Sequence, residues 1–513
     1  SCETRRMRKW LELIYCTILV VIGTVRGLSA GPRQASNLEL ESSDSRLVEA
    51  FNWARQQAMA YVFDGDPVGP WYEAALPGRQ AFCMRDVSHQ SMGAQALGLA
   101  PYTQNMLRRF AENISESRDW CSYWEIDRLN RPAPVDYKND AEFWYNLPAN
   151  FDVLDSCYRM YLWTGDPAYV NDPVFLNFYE RTMSDYVHRW SLGLDAVMKR
   201  RRWMNIRGEF DPHNKFQLYR GDPSYEEARA NFVLGADLLA TEYAAYRAYA
   251  QIQVVRENTG LATACLNKAA SVKRLVNETW WNEGTHQFYA FLDQNGHFQG
   301  RSDADLLYRD VADDGPKAQS ALNDLLDKIE SHPSSAVEDE SHYPEILYRY
   351  GAPEVAYAQI MDLTHEGRDR REYPEVSYSV VGAIVTGLMG IAVQASSPLE
   401  AAAQGNVEVV IKTLPGLTAQ TAWAEIRNLP IGRNNVAVRH EGVRGTVFTN
   451  QDGPSLIWQA TFPIAVATLL VDGKPVKANP GKEYLGRATS WVRAPVGAGD
   501  TVRVDVPKPD EKR

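Results

Sequence analysis

Apolar positions recur at helical spacing from about Ser45 to Ala395, then give way to the alternation of strands. Twelve helical segments are predicted in the first stretch, and they fall into six pairs. The pairs are Ser45–Phe63 with Asp86–Leu97, Thr103–Ile114 with Asn150–Trp163, and Val174–Trp190 with Tyr225–Ala250. Leu261–Trp280 follows with a weaker segment at Asp303–Val311, then Ala318–Ile329 with Tyr343–Tyr350, and Pro353–Leu363 with Val376–Ala395. Ser45–Phe63 shows the pattern, with Leu47, Phe51, Ala54 and Ala58 on one stripe. The second member of each pair is the more apolar. Val376–Ala395 carries no charge in twenty residues, enough to span a bilayer. Gly382, Gly387 and Gly390, with no basic flank, favour instead a helix packed on all sides. Six outer and six inner helices predict an (α/α)6 barrel, mainly α, with its inner helices pointing one way.

After Ala403 the period changes. Runs at Val407–Ile411, Val436–His440 continuing to Thr446–Phe448, Ser455–Trp458 and Val502–Val506 are rich in β-branched residues. Asp472-Gly473 is a hairpin signal. A C-terminal β-sandwich over 405–506 is predicted, with the barrel over 45–400 and flexible ends at 31–44 and 507–513. At the other end, Arg5, Arg6, Arg8 and Lys9 precede an apolar run from Leu13 to Val25, and Leu28-Ser29-Ala30 ends it in small residues. That order predicts a signal peptide over 1–30, and hence a secreted or periplasmic protein.

Composition narrows the function. Removing residues 1–30 moves the net charge from −11 to −14. An exported protein this acidic is a poor partner for nucleic acid or anionic membrane. Four cysteines remain (Cys83, Cys121, Cys157 and Cys265), enough for one or two disulfides. No CxxC or HExxH pattern occurs, so neither a metal nor another cofactor is expected.

The openings of the inner helices carry the candidate chemistry. Helix N-termini supply free N–H groups and partial positive charge, which suit sugar hydroxyls and carboxylates. The first opening offers Arg85, Asp86 and His89, although a helix cap explains Asp86 equally well. The second brings Glu142 beside Trp144 and Tyr145, whose rings suit stacking on a sugar face. At the third, Tyr225 precedes Glu227, which with Ser224 also matches a capping box. The fifth holds Glu340, His342 and Tyr343. At the sixth, Tyr373-Pro374-Glu375 opens the most apolar helix, and burial there is expected to raise the pKa of Glu375. Glycoside hydrolysis needs two carboxyl groups, one to protonate the leaving oxygen and one to activate water or attack the sugar. Glu375 is the first choice, with Asp86 or Glu142 as its partner, and Glu340 and Glu227 complete the candidate set. The substrate-binding candidates are Arg85, His89, Trp144, Tyr145, Tyr225, His342, Tyr343 and Tyr373.

The hairpin count, the acidic openings and the strand-rich tail together resemble the six-hairpin glycosidase superfamily. Tyr373-Pro374-Glu375 leading to Gly387-Leu388-Met389-Gly390-Ile391 contributes to the likeness. The tail, with Leu414-Pro415-Gly416-Leu417 and Asn450-Gln451-Asp452-Gly453, is similar to sandwich domains appended to rhamnosidase-like enzymes. The resemblance implies a glycoside hydrolase acting on poly- or oligosaccharides. Two alternatives stand beside it. A polysaccharide lyase of the (α/α)-toroid type would use Tyr343 or His342 as base against a uronate held by Arg85 or Arg207. A glycan-binding protein would keep the pocket without catalysis.

Overall fold

The computed structural model describes residues 36–226, 231–331, 336–395 and 409–508. The proposed signal peptide and Glu227 lie outside them. Twelve of the helices among the described residues build the two rings of the first part. They are α1 (Ser45–Ala60), α2 (Met84–Ala96), α3 (Ala100–Glu112), α4 (Pro148–Thr164), α5 (Pro173–Arg181) and α6 (Ala236–Val255). The rest are α7 (Thr259–Thr279), α8 (Ala304–Tyr308), α9 (Pro316–Ser331), α10 (Tyr343–Arg349), α11 (Pro353–Thr364) and α12 (Pro374–Ala383). Helix α5 continues through a π-turn to Arg189, and α12 through another to Leu388. The even-numbered helices contact one another in sequence, and α12 returns to α2, closing an inner ring. Each odd-numbered helix packs outside its successor or neighbour, making a helical barrel.

The ring is tightest where α2 crosses α12. A Cβ built on Gly93 would stand 2.0 Å from the carbonyl oxygen of Tyr378. Only a residue without a side chain admits that approach. Tyr72, against the same crossing, packs its ring 4.8 Å from that of Tyr378 at a tilt of 34°.

Twelve strands of the β part form two sheets. They are β1 (Glu39–Ser42), β2 (Ala392–Ala395), β3 (Val409–Thr413), β4 (Trp423–Ile431), β5 (Asn434–Glu441) and β6 (Gly445–Asp452). The series ends with β7 (Leu456–Phe462), β8 (Thr468–Val471), β9 (Lys474–Lys477), β10 (Asn479–Lys482), β11 (Ala488–Val496) and β12 (Thr501–Asp505). One sheet runs β1-β4-β5-β6-β12-β8-β9 and the other β2-β3-β7-β11-β10. Phe448 of the first stacks on Trp458 of the second at 5.1 Å, joining their buried faces. Asp472-Gly473 turns the β8–β9 hairpin with both residues at positive φ.

Four expectations need correction. The helix predicted to Ala395 stops at Leu388, because Gly390 takes φ +55° and packs against the backbone of Leu414. Ala392–Ala395 then pairs with β3 as a strand of the β part. The helix predicted from Tyr225 begins only at Ala236, after a strand at Phe232–Gly235. The segment at Asp303–Val311 shrinks to the short α8. Residues 39–42, expected within a flexible end, pair with β4 in register Glu39 to Arg427. The four cysteines are free and buried. Among the described residues no helix is long and apolar enough to cross a membrane.

Candidate active site

At one end of the barrel the inner helices open into a pocket. Helix α2 starts at Met84 with no side-chain cap, which leaves Arg85 and Asp86 of its first turn to interact outward. Helix α12 starts with Pro374 in its first turn, where a missing N–H is harmless, and Glu375 follows at once. Arg85 joins the two helices: its Nη2 lies 3.5 Å from Glu375 Oε2 and its Nε 3.5 Å from Asp86 Oδ1.

Two imidazoles meet the other oxygen of Glu375. His342, the residue before α10, places Nε2 3.0 Å from Oε1. His89, one turn into α2, brings Nδ1 to 2.8 Å from His342 Nε2 and 3.7 Å from Oε1. Its Nε2 stands 3.5 Å from Asp152 of α4. Asp152 also accepts from the Tyr225 hydroxyl and pairs with Arg309, which binds Asp155 at 2.8 Å. The chain of contacts from Asp86 through Glu375, His342, His89 and Asp152 to Arg309 draws on α2, α12, α10, α4 and the end of α8.

Burial pushes the Glu375 carboxyl up, but Arg85, His342 and His89 outweigh it and hold the group well below the usual carboxylate range. The raised pKa expected from position alone is therefore overturned. Asp86 goes the other way: burial and the negative charge of Glu375 push it up to about 8, despite Arg85. Burial also pushes Asp152 up, yet Arg309 and His89 leave it well below the carboxylate range. Burial and the neighbouring His89 lower His342 to about 4. Burial alone would lower His89, but its bonds to Asp152 and Glu375 raise it.

A second carboxyl pair lines the same pocket. Asp237, in the first turn of α6, accepts from Ser224 Oγ at 3.0 Å and Tyr225 N at 2.7 Å. Its carboxyl folds over Gly235, where a Cβ would meet Oδ1 at 2.2 Å. Burial and the neighbouring Asp305 push Asp237 well above the carboxylate range. Asp305 is exposed at the pocket, and partial desolvation with Asp339, Asp303 and Glu226 nearby pushes it up to about 7.

Arg85, His89, Tyr225, His342 and Tyr343 line this pocket, with Asp86 and Glu375 directly behind Arg85. Six other candidates are engaged elsewhere. Glu142 binds Lys138 at 2.7 Å and also Asn214. Glu340 is buried against Arg368. Trp144 stacks on Tyr219 at 3.8 Å. Tyr145 is fully buried, with its hydroxyl on Asn150. Tyr373 caps α12 under the guanidinium of Arg370, 4.3 Å from its ring. Arg207 reaches the carbonyl of Ser117. Asp152, Asp237, Asp305 and Arg309 stand outside the sequence-derived site candidates. Asp237 stands in the first turn of an inner helix, a signal masked by the predicted start at Tyr225, eleven residues before the observed one.

No family model and no curated protein matches this sequence. Solved structures do. The chain is similar to the GH78 family rhamnosidase of Bacillus sp. GL1, with TM-score 0.54 and 13% identity over 80% of this chain and 41% of that one. An α-L-rhamnosidase from Dictyoglomus thermophilum matches with TM-score 0.55 and 14% identity, over 92% and 51%. The α-L-rhamnosidase from Aspergillus terreus matches with TM-score 0.52 and 12% identity, again over 92% and 51%. The chain has the six-hairpin glycosidase fold. It spans about half the length of these proteins or less.

Proposed function

We propose that this chain is an exported glycoside hydrolase that cleaves oligo- or polysaccharides in the pocket at the inner-helix openings. One observation carries the reading: carboxyls of opposite character stand in one pocket and directly behind its Arg85 wall. Desolvation and the nearby Asp339, Asp303 and Glu226 push Asp305, which lines the open space, up to about 7, whereas Arg85, His342 and His89 keep Glu375 ionised behind Arg85. Environments that push two carboxyls apart in this way are how a site assigns an acid and an ionised counterpart at one pH. Asp305 is the proton donor to the leaving oxygen, with partial desolvation and the carboxylates of Asp339, Asp303 and Glu226 favouring the protonated form. Glu375, fixed by Arg85, is the ionised counterpart. Export rests on the basic, apolar, small-residue order of residues 1–30.

The lyase reading has less support. Arg85 is committed to Asp86 and Glu375 rather than free for a uronate, and His342 at about 4 is a weak base. Because the structural neighbours are named rhamnosidases, aryl α-L-rhamnosides head the substrates to screen, followed by a panel of plant, algal and microbial glycans. New reducing ends support the hydrolase. An unsaturated product absorbing in the ultraviolet identifies a lyase, and intact glycan with saturable binding identifies a binding protein.

A further inference from the structure

His89, His342 and Glu375 form more than a hydrogen-bonded chain. Their Nδ1, Nε2 and Oε1 atoms make a closed triangle with edges of 2.8, 3.0 and 3.7 Å. Three ligand atoms on one ion, at bonds of about 2.0–2.2 Å, stand roughly 3.0–3.4 Å apart for angles between square and tetrahedral. The edges of this triangle bracket that range. We infer that the three residues are a mononuclear binding site for a divalent transition-metal ion of the zinc class, set in the wall of the pocket.

The surroundings favour a cation-ready arrangement. Asp152 lies beside Nε2 of His89, the nitrogen turned away from the triangle. A carboxylate there keeps the proton on the outer nitrogen and leaves the Nδ1 lone pair facing inward, which is how ligating histidines are oriented. Arg85 occupies Oε2 of Glu375, so Oε1 alone is presented. The two nearby guanidiniums are balanced: Arg85 has Asp86 as well as Glu375, and Arg309 has Asp152 and Asp155. The Tyr308 ring lies 5.5 Å from both imidazoles and gives the site an apolar wall.

The donor set selects the ion. Two imidazoles and one carboxylate suit zinc, cobalt, iron or manganese, whereas calcium and magnesium prefer oxygen cages. Three protein ligands leave at least one position open, and both histidines face the pocket. A water or a sugar hydroxyl would fill that position. The triad is invisible to motif searches because its members come from positions 89, 342 and 375, in no recognised spacing.

The test reads metal, not turnover, so its outcome is separable from that of the hydrolase reading. Untagged full-length protein is stripped with chelator, dialysed and titrated with Zn²⁺ by calorimetry, and the metal retained after desalting is measured by mass spectrometry. One ion per chain is expected, with Mg²⁺ failing to compete. His89→Ala and His342→Ala should abolish this binding while circular dichroism stays native. Asp152→Asn should weaken it about 10–100-fold, as loss of an orienting carboxylate does. His297→Ala, at an exposed histidine, should leave it unchanged. If either histidine variant is misfolded, Co²⁺ bound to the wild type should still show the visible absorption of imidazole ligation. No saturable zinc binding by the wild type, or unchanged binding in folded variants of both histidines, overturns the site.

Discussion

Desolvation pushes both Asp305 and Glu375 up, and neighbours of opposite sign then drive them apart, the basis of the acid and ionised roles proposed for them. Carboxylates surround Asp305, whereas Glu375 has a guanidinium and two imidazoles. Asp305→Asn should keep the fold and lower kcat by about 10²–10⁴-fold, the usual share of general acid–base catalysis. The sign of its pH dependence follows from the donor role proposed for it. Activity should be present while Asp305 is protonated and fall as pH rises through about 7, and a rate profile lacking that limb would remove it as the acid. Glu375→Gln should lower turnover over the same range, and near-normal rates on a substrate the parent cleaves would exclude it. Arg309 makes a different prediction. It is buried against Asp152, and breaking such a pair strands a buried charge. Arg309→Met should therefore destabilise by about 3–5 kcal/mol in urea unfolding, with Asp152→Asn in the same chain restoring part of the loss.

Elements bring these residues together only because the inner helices approach closely. At the crossing of α2 and α12, Gly93 has no room for a side chain, whereas a Cβ on Gly382 would meet its nearest atom at 3.3 Å. Gly93→Ala should cost about 1–3 kcal/mol or more, and Gly382→Ala clearly less, in denaturant titrations. Because Arg85 sits on α2 and Glu375 on α12, the first substitution should also disturb the site. Equal effects at the two glycines would show that the crossing is looser than the distances indicate.

Across the whole molecule the barrel and the sandwich share backbone and core. β1 precedes the first helix yet closes one sheet, and β2 follows the last helix yet edges the other. His440 Nε2 lies 2.9 Å from the carbonyl of Met389, and Gly432 N donates to Trp163 at 2.7 Å. One continuous apolar cluster includes Leu388 and Ile391 together with Ile411 and Trp458. Heating should therefore give one cooperative transition, coincident by far-ultraviolet circular dichroism and tryptophan fluorescence. Two separated transitions would show that the parts unfold independently.

What the sequence determined by itself was local. The stripe of Leu47, Phe51, Ala54 and Ala58, the proline opening α12 and the Asp472-Gly473 turn are each decided within a few residues, so periodicity and turn chemistry expose them. Arg85, Asp86, His89, His342 and Glu375 were legible as candidates because each stands at or near an inner-helix opening. The tertiary structure decided the rest. Gly390 ends α12 because the backbone of Leu414 leaves no room for a Cβ, a contact made by a distant segment. Glu375 is ionised rather than protonated because Arg85 and two histidines arrive from elsewhere in the ring, and no window around position 375 contains them. Asp305 and Asp237, sixty-eight residues apart in sequence, become a pair only when α6 and α8 stand side by side. Charge interactions depend on distance in space, and sequence spacing fixes that distance only within a helix turn or a hairpin.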